Sequence, residues 1–206
     1  MSSWARWAPL SGIVFAALII ASFAVSGSTP GVKATGQHVI SYYTDHKGRE
    51  QASAFLGLYA TVFFLFFAAA FRGHLRRMQL EAGTVTAMSL AGAVLLAAGL
   101  AAFSSLTIAL SDAPDKLGAD AAQALNVLNN DLFGPLIAGV CVFMIANGLA
   151  TIRWSVLPAW LGWIAIVIAI VTVTPIGFFG FLAMVVWTIV VSVLLFLRTP
   201  AEDAGR

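Results

Sequence analysis

Residues 82–110, AGTVTAMSLAGAVLLAAGLAAFSSLTIAL, run for twenty-nine positions without an ionisable side chain. A helix needs roughly 20 apolar residues to cross a hydrocarbon core about 30 Å thick. The stretch therefore reads as a membrane span with length to spare, which tilt or projection beyond the lipid would absorb. Outward from it, apolar runs over 9–25, 52–71, 132–152, 157–173 and 178–197 are bounded by charge or by Pro and Gly. The expected fold is all-α, one polytopic membrane bundle of about six transmembrane helices filling residues 1–206 as a single domain.

Composition agrees. The chain is 60% hydrophobic and 10% charged, with a mean hydropathy of +0.93, whereas soluble domains carry about 25% charged residues. The +2 net charge comes from Lys and Arg that flank apolar runs, where they anchor helix ends. No nucleic-acid partner is expected. Arg6 before an apolar stretch, with Ser26 to Ser28 behind it, resembles a secretory signal, but a multi-pass chain uses such a segment as a retained first helix.

Orientation follows from the basic residues. With six spans and both termini in the cytoplasm, Arg6, Arg72, Arg76, Arg77, Arg153, Arg198 and Arg206 lie inside, against Lys33, Lys47, Arg49 and Lys116 outside. Trp4, Trp7, Trp154, Trp160 and Trp163 then fall near the inner interface, where an indole buries its ring and keeps its N–H wet. Asp45, Glu50, Asp112, Asp115, Asp120 and Asp131 lie outside, while Glu81, Glu202 and Asp203 lie inside. The expected location is the plasma membrane, the inner membrane of a bacterium.

Lipid is as apolar as Leu, so helices in it associate through close packing and interhelical hydrogen bonds. Gly92, Ala93, Ala97, Gly99 and Ala101, with a parallel row at Ala98 and Ala102, suit the 82–110 helix to a central position. Phe55, Tyr59, Phe63, Phe66 and Phe67 recur at helical spacing on the second run, as packing or lipid contact requires. Thr174, Pro175, Ile176 and Gly177 make a charge-free turn between the last two runs.

Chemistry concentrates in two outer segments. In Asp120 to Pro135, the polar residues Asp120, Gln123, Asn126 and Asn130 share one helix face, and Pro135 is expected to free the carbonyl of Asp131 inside the fourth span. Ionisable groups at membrane depth are costly and kept for function, which makes Asp131 the first candidate. Asn126, Asn129 and Asn130 either hold a ligand or tie this helix to the first outer loop. In that loop Tyr42, Tyr43, Asp45, His46, Arg49 and Glu50 are dense. Folded over the bundle, Asp45, His46 and Glu50 would meet Asp131 as acid, base and electrostatic partners. His38, His46 and His74 lack metal-ligand spacing, and the single Cys141 lies in an apolar run, so neither a metal nor a disulfide is expected. No phosphate loop, nucleophile elbow or dinucleotide fingerprint occurs, and no cofactor is expected.

Arg153, the run Leu157-Pro158-Ala159-Trp160-Leu161-Gly162-Trp163 and a final helix with a central Trp187 resemble the C-terminal third of small six-span bacterial membrane proteins of actinobacterial type. Those proteins are classed as a domain of unknown function. The resemblance implies six helices and supplies no activity. Three functions fit the sequence. One is a bundle that binds or passes a small hydrophobic or amphiphilic molecule amid membrane lipids, or serves as an accessory subunit for a membrane partner or a second copy. Another is a membrane enzyme acting on a lipid or isoprenoid through Asp131, Asp45, Glu50 and His46. The last is an ion pathway, which the absence of a charged row through the spans disfavours.

Overall fold

The computed structural model describes residues 7–78 and 83–198. Trp4, Arg6, Glu81, the segment after Thr199 and its Glu202, Asp203 and Arg206 lie outside the described residues. Among those described, all regular structure is helical: α1 (Ser11–Val25) after a 3-10 turn at Ala8–Leu10, α2 (Gly36–Asp45), α3 (Lys47–Met78), α4 (Gly83–Asp112), α5 (Ala119–Asp131), α6 (Gly134–Trp154), α7 (Ala159–Thr172) and α8 (Gly177–Arg198). Five segments are long and apolar enough to cross a membrane: Ala8–Val25, Lys47–Arg76, Gly83–Asp112, Ala119–Trp154 and Gly177–Arg198.

The fifth expected span, 157–173, is shorter than the sequence suggested. Helix α7 has 14 residues, about 21 Å at 1.5 Å per residue, because Pro158 and the turn after Thr172 confine it. Ser155, at φ 52°, closes α6 in the left-handed region, and Val156 and Leu157 then run buried toward Pro158. Arg198 at the end of α8 donates to the carbonyl of Val156 at 3.1 Å. Segment 155–158 together with α7 thus matches the depth of α8. Non-helical backbone in lipid is tolerated only where protein covers it, and here Val156 and Leu157 are buried while Ser155 at the end is exposed.

Six helices close into a ring in which neighbours pack in the order α1, α3, α4, α6, α7, α8 and back to α1. Helix α4 is central to one side of it, with its most extensive contacts to α6 and α3. The closest approach is between α4 and α6. A Cβ on Gly92 would lie 2.4 Å from the amide nitrogen of Phe143, one on Gly139 2.3 Å from that of Leu96, and one on Gly99 3.0 Å from that of Leu136. These pairings run antiparallel, backbone against backbone. The row Ala98 and Ala102 faces outward instead, toward lipid. The aromatic stripe divides similarly: Phe55, Tyr59 and Phe66 are exposed, while Phe67 turns into the core.

The ring's axis is plugged by aromatic side chains. Phe15, Phe64, Phe67, Phe71, Phe143 and Trp187 are all fully or almost fully buried. Phe71 and Phe143 meet the Trp187 ring edge-on at 6.1 and 6.3 Å, a favoured arrangement for ring quadrupoles. The indole N–H donates to the carbonyl of Leu161 at 3.1 Å. Ser22 and Ser53 bond each other reciprocally between α1 and α3, and Ser89 donates to Asn147 at 2.9 Å between α4 and α6.

Trp7 packs against Phe196 with tilted rings 5.4 Å apart, so the first and last described turns share one end of the bundle. That arginine end also carries Arg72, Arg76, Arg153 and Arg198. The opposite, lid end carries α2, α5 and the 173–176 turn. Pro135 does not interrupt a span: α5 stops at Asp131, and the proline falls in the first turn of α6, where a missing N–H costs nothing.

Gly139→Val should lower the stability of the purified protein in thermal unfolding by about 1–3 kcal/mol, since overpacking must push Leu96 and α4 away. An unchanged transition would show that the two backbones are not in contact.

Candidate functional site

The lid is built from short-range polar ties. Thr35 caps α2 by accepting from the His38 amide, and Gly36 lies so close to the Ala119 carbonyl that a Cβ would sit 1.8 Å from it. Only glycine permits that crossing. Val39 and Tyr43 then pack on Ala122 of α5 and Leu110 of α4. Along α5, Asn126 donates to the carbonyl of Gly31 at 3.0 Å and Asn130 to that of Pro30 at 3.1 Å. Asn129 donates to Thr107 Oγ1 at 3.5 Å. The three asparagines therefore fasten the helix to the first loop and to α4. Lys47 donates to the carbonyl of Asp112, joining the tops of α3 and α4.

Glu50 is the organising group of this end. Its side chain is 1% exposed and accepts from Tyr42 Oη at 2.9 Å, Ser26 Oγ at 3.3 Å and the Gly27 amide at 3.4 Å. The Arg49 guanidinium lies 3.5 Å from it and also donates to Tyr42 Oη at 2.9 Å. The carboxylate thus pins the end of α1 to α2 and α3. Burial pushes the Tyr42 phenol up, helped by its hydrogen bond to Glu50 and that carboxylate's charge and opposed by Arg49. Burial raises Tyr43 further, with Glu50 and Tyr42 adding to it. The Tyr43 hydroxyl has no hydrogen-bond partner among the described residues.

The sequence placed Asp45, His46, Glu50 and Asp131 together. The structure links only two of them, and only through Tyr42: His46 stacks on the Tyr42 ring at 4.6 Å while Glu50 accepts from its hydroxyl, whereas Asp45 is exposed and accepts from Ser41 at 3.5 Å. Asp131 is separate. It is exposed at the end of α5 and makes no hydrogen bond to the other three. A separate feature is an apolar cavity of about 330 Å³, lined by Phe133 but not by Asp131.

The cavity opens at the lid end of the ring, above the aromatic plug. Phe23 of α1, Leu100 and Phe103 of α4, and Leu136 and Ile137 of α6 form its walls, with Phe133 just before α6. Thr172, Thr174, Pro175, Gly177, Phe178 and Phe181 complete it from the α7–α8 turn. It exists because the turn cuts α7 short while α4 continues to Asp112, leaving the axis unfilled. No ionisable side chain lines it. The hydroxyls of Thr172 and Thr174 are spent on the carbonyls of Ile168 and Val171, so the walls offer an incoming molecule apolar surface and aromatic faces. Pockets for small ligands span roughly 300–1,000 Å³, and this one lies at the lower limit. Among the described residues, no group of three His, Cys, Asp or Glu stands close enough to hold a metal.

Sequence reading missed this cavity because its lining comes from five helices and a turn. It also passed over Asn147, buried in the middle of α6, which holds α4 through Ser89 and donates to the Phe143 carbonyl at 2.7 Å. A lone Asn in a charge-free run is the signal that would have found it. No family model, curated protein or solved structure matches the chain.

Unfolded Tyr43 ionises as pH passes its ordinary value of 10.0, but the folded phenol does not. The resulting stabilisation is complete below that pH and is lost as pH rises above it. Thermal unfolding of the wild type and Tyr43→Phe, compared between about pH 8 and about pH 11, should show a gap that widens with pH in the variant's favour. Loss of an unpartnered hydroxyl should leave the variant at least as stable at neutral pH. A gap independent of pH would contradict the buried, protonated phenol.

Proposed function

We propose that this membrane bundle binds the hydrophobic portion of a small amphiphile in the cavity at its lid end. The cavity carries the reading: an apolar space bounded by a turn that lies near the edge of the hydrocarbon core. Helix α8 has 22 residues, about 33 Å, so with Arg198 at one interface Gly177 reaches the other, where a chain from the adjoining leaflet can enter sideways.

The arginine end faces the cytoplasm on the positive-inside rule, which puts the lid and cavity on the outer face of a plasma membrane, a bacterial inner membrane. Its ordinary surroundings are membrane lipids, and a role as an accessory subunit to a membrane partner or a second copy is compatible with the same cavity. The enzyme reading, a lipid or isoprenoid processed by Asp45, His46, Glu50 and Asp131, has less support. None of the four lines the cavity, and Glu50 is occupied in holding the lid.

The test is photo-crosslinking in vesicles that contain a phospholipid with a diazirine on its palmitoyl chain. Label should concentrate on peptides bearing Phe103, Ile137 and Phe181, and Leu100→Trp, which fills the cavity, should reduce that label about fivefold or more without lowering thermal stability. Label spread evenly over the outward-facing Val94, Leu149 and Val186, indifferent to Leu100→Trp, would overturn the proposal.

A further inference from the structure

The cavity's walls are unusual in kind, and they narrow the ligand class. Five of the twelve lining residues are phenylalanines, Phe23, Phe103, Phe133, Phe178 and Phe181. Three of them, Phe23, Phe133 and Phe178, are about half exposed and so ring the mouth, while Phe103 and Phe181 lie deeper. Phe23 meets Phe178 edge-on at 5.6 Å. An aromatic face attracts a cation held within about 6 Å of its centroid, and several faces around one space are the usual receptor for an alkylated ammonium group.

Charge points the same way. Asp131 precedes the lining Phe133 by two residues, at most about 7 Å of chain, and it is exposed with no basic partner among the described residues. At the lid end as a whole six carboxylates face four basic side chains, whereas the charge at the other end comes from arginines. An anionic amphiphile would meet repulsion at the mouth; a cationic one would find a carboxylate outside and ring faces within.

Resting on the binding function proposed above, we infer that the cavity selects cationic amphiphiles, with an alkylammonium head at the Phe23, Phe133 and Phe178 mouth beside Asp131 and its hydrocarbon chain against the deeper walls. Heads that need a hydrogen-bond donor find none in the two threonine hydroxyls, whose protons are already given to backbone carbonyls.

Equilibrium dialysis of the purified full chain in a neutral maltoside, with radiolabelled decyltrimethylammonium and decyl sulfate as probes, separates the possibilities. The cation should bind about tenfold more tightly than the anion of equal chain length. Asp131→Asn and Phe178→Leu should each narrow that preference about threefold or more, Asp131→Glu should keep it, and Leu100→Trp should weaken both probes. Equal binding of the two probes, with both displaced by Leu100→Trp, would overturn charge selection and leave the apolar binding function standing. Binding of neither probe, or binding that Leu100→Trp does not affect, would remove both.

Discussion

Each backbone amide that enters hydrocarbon must find its partner inside the protein, and each unpaired one costs several kcal/mol. That constraint turns a chain this rich in apolar residues into helices. It also explains where the backbone is allowed to depart from them. The non-helical segment 155–158 buries Val156 and Leu157 and is bonded by Arg198, and the 173–176 turn closes through successive backbone bonds at Val173, Thr174 and Gly177. Once the amides are satisfied within helices, lipid supplies no further drive to join them. Close contact does so instead, most closely where Gly92, Gly99 and Gly139 bring α4 and α6 together.

From that ring follow both the plug and the space above it. Large aromatic side chains fill the axis through its middle, with Trp187 bonded across to α7. Toward the lid the small and branched residues of α4 and α6 face a helix that has already turned back, and the axis stays open. Polar groups are sorted away from this opening: Glu50 and the asparagines of α5 are spent on holding loop and helix in place. The resulting division, a fastened polar lid beside an apolar chamber, separates the residues that stabilise from those that would touch a ligand.

Much of the architecture was legible in the sequence, for a physical reason. Charge-free runs such as 82–110 and 178–197 have one stable outcome in lipid, and the structure returns them as Gly83–Asp112 and Gly177–Arg198. A tie between α5 and the first outer loop was one of two readings open for Asn126 and Asn130, and its partners, the carbonyls of Gly31 and Pro30, came only with the structure. The length of α7 was not legible, because hydropathy counts apolar residues and cannot see that Val156 and Leu157 form a buried bend before Pro158. Nor could periodicity distinguish Ala97, which packs, from Ala98, which meets lipid. Asp131 illustrates the remaining gap. Its chemistry was visible, but its company was not: the expected cluster with Glu50 and His46 gives way to a position beside Phe133, fixed only by how α5 ends.

The proposed six passes, with arginines at one face and lid and cavity at the other, are open to direct measurement by side-specific labelling. In a Cys141→Ala background, single cysteines at Arg76, Lys116, Ser155 and Thr174 are treated in intact cells with a membrane-impermeant maleimide, before and after permeabilisation. The account predicts that the cysteines at 116 and 174 react from outside and those at 76 and 155 only after permeabilisation. Labelling of 155 and 174 from the same side would show that α7 does not cross, and labelling of 76 with 116 would break the separation of the two ends.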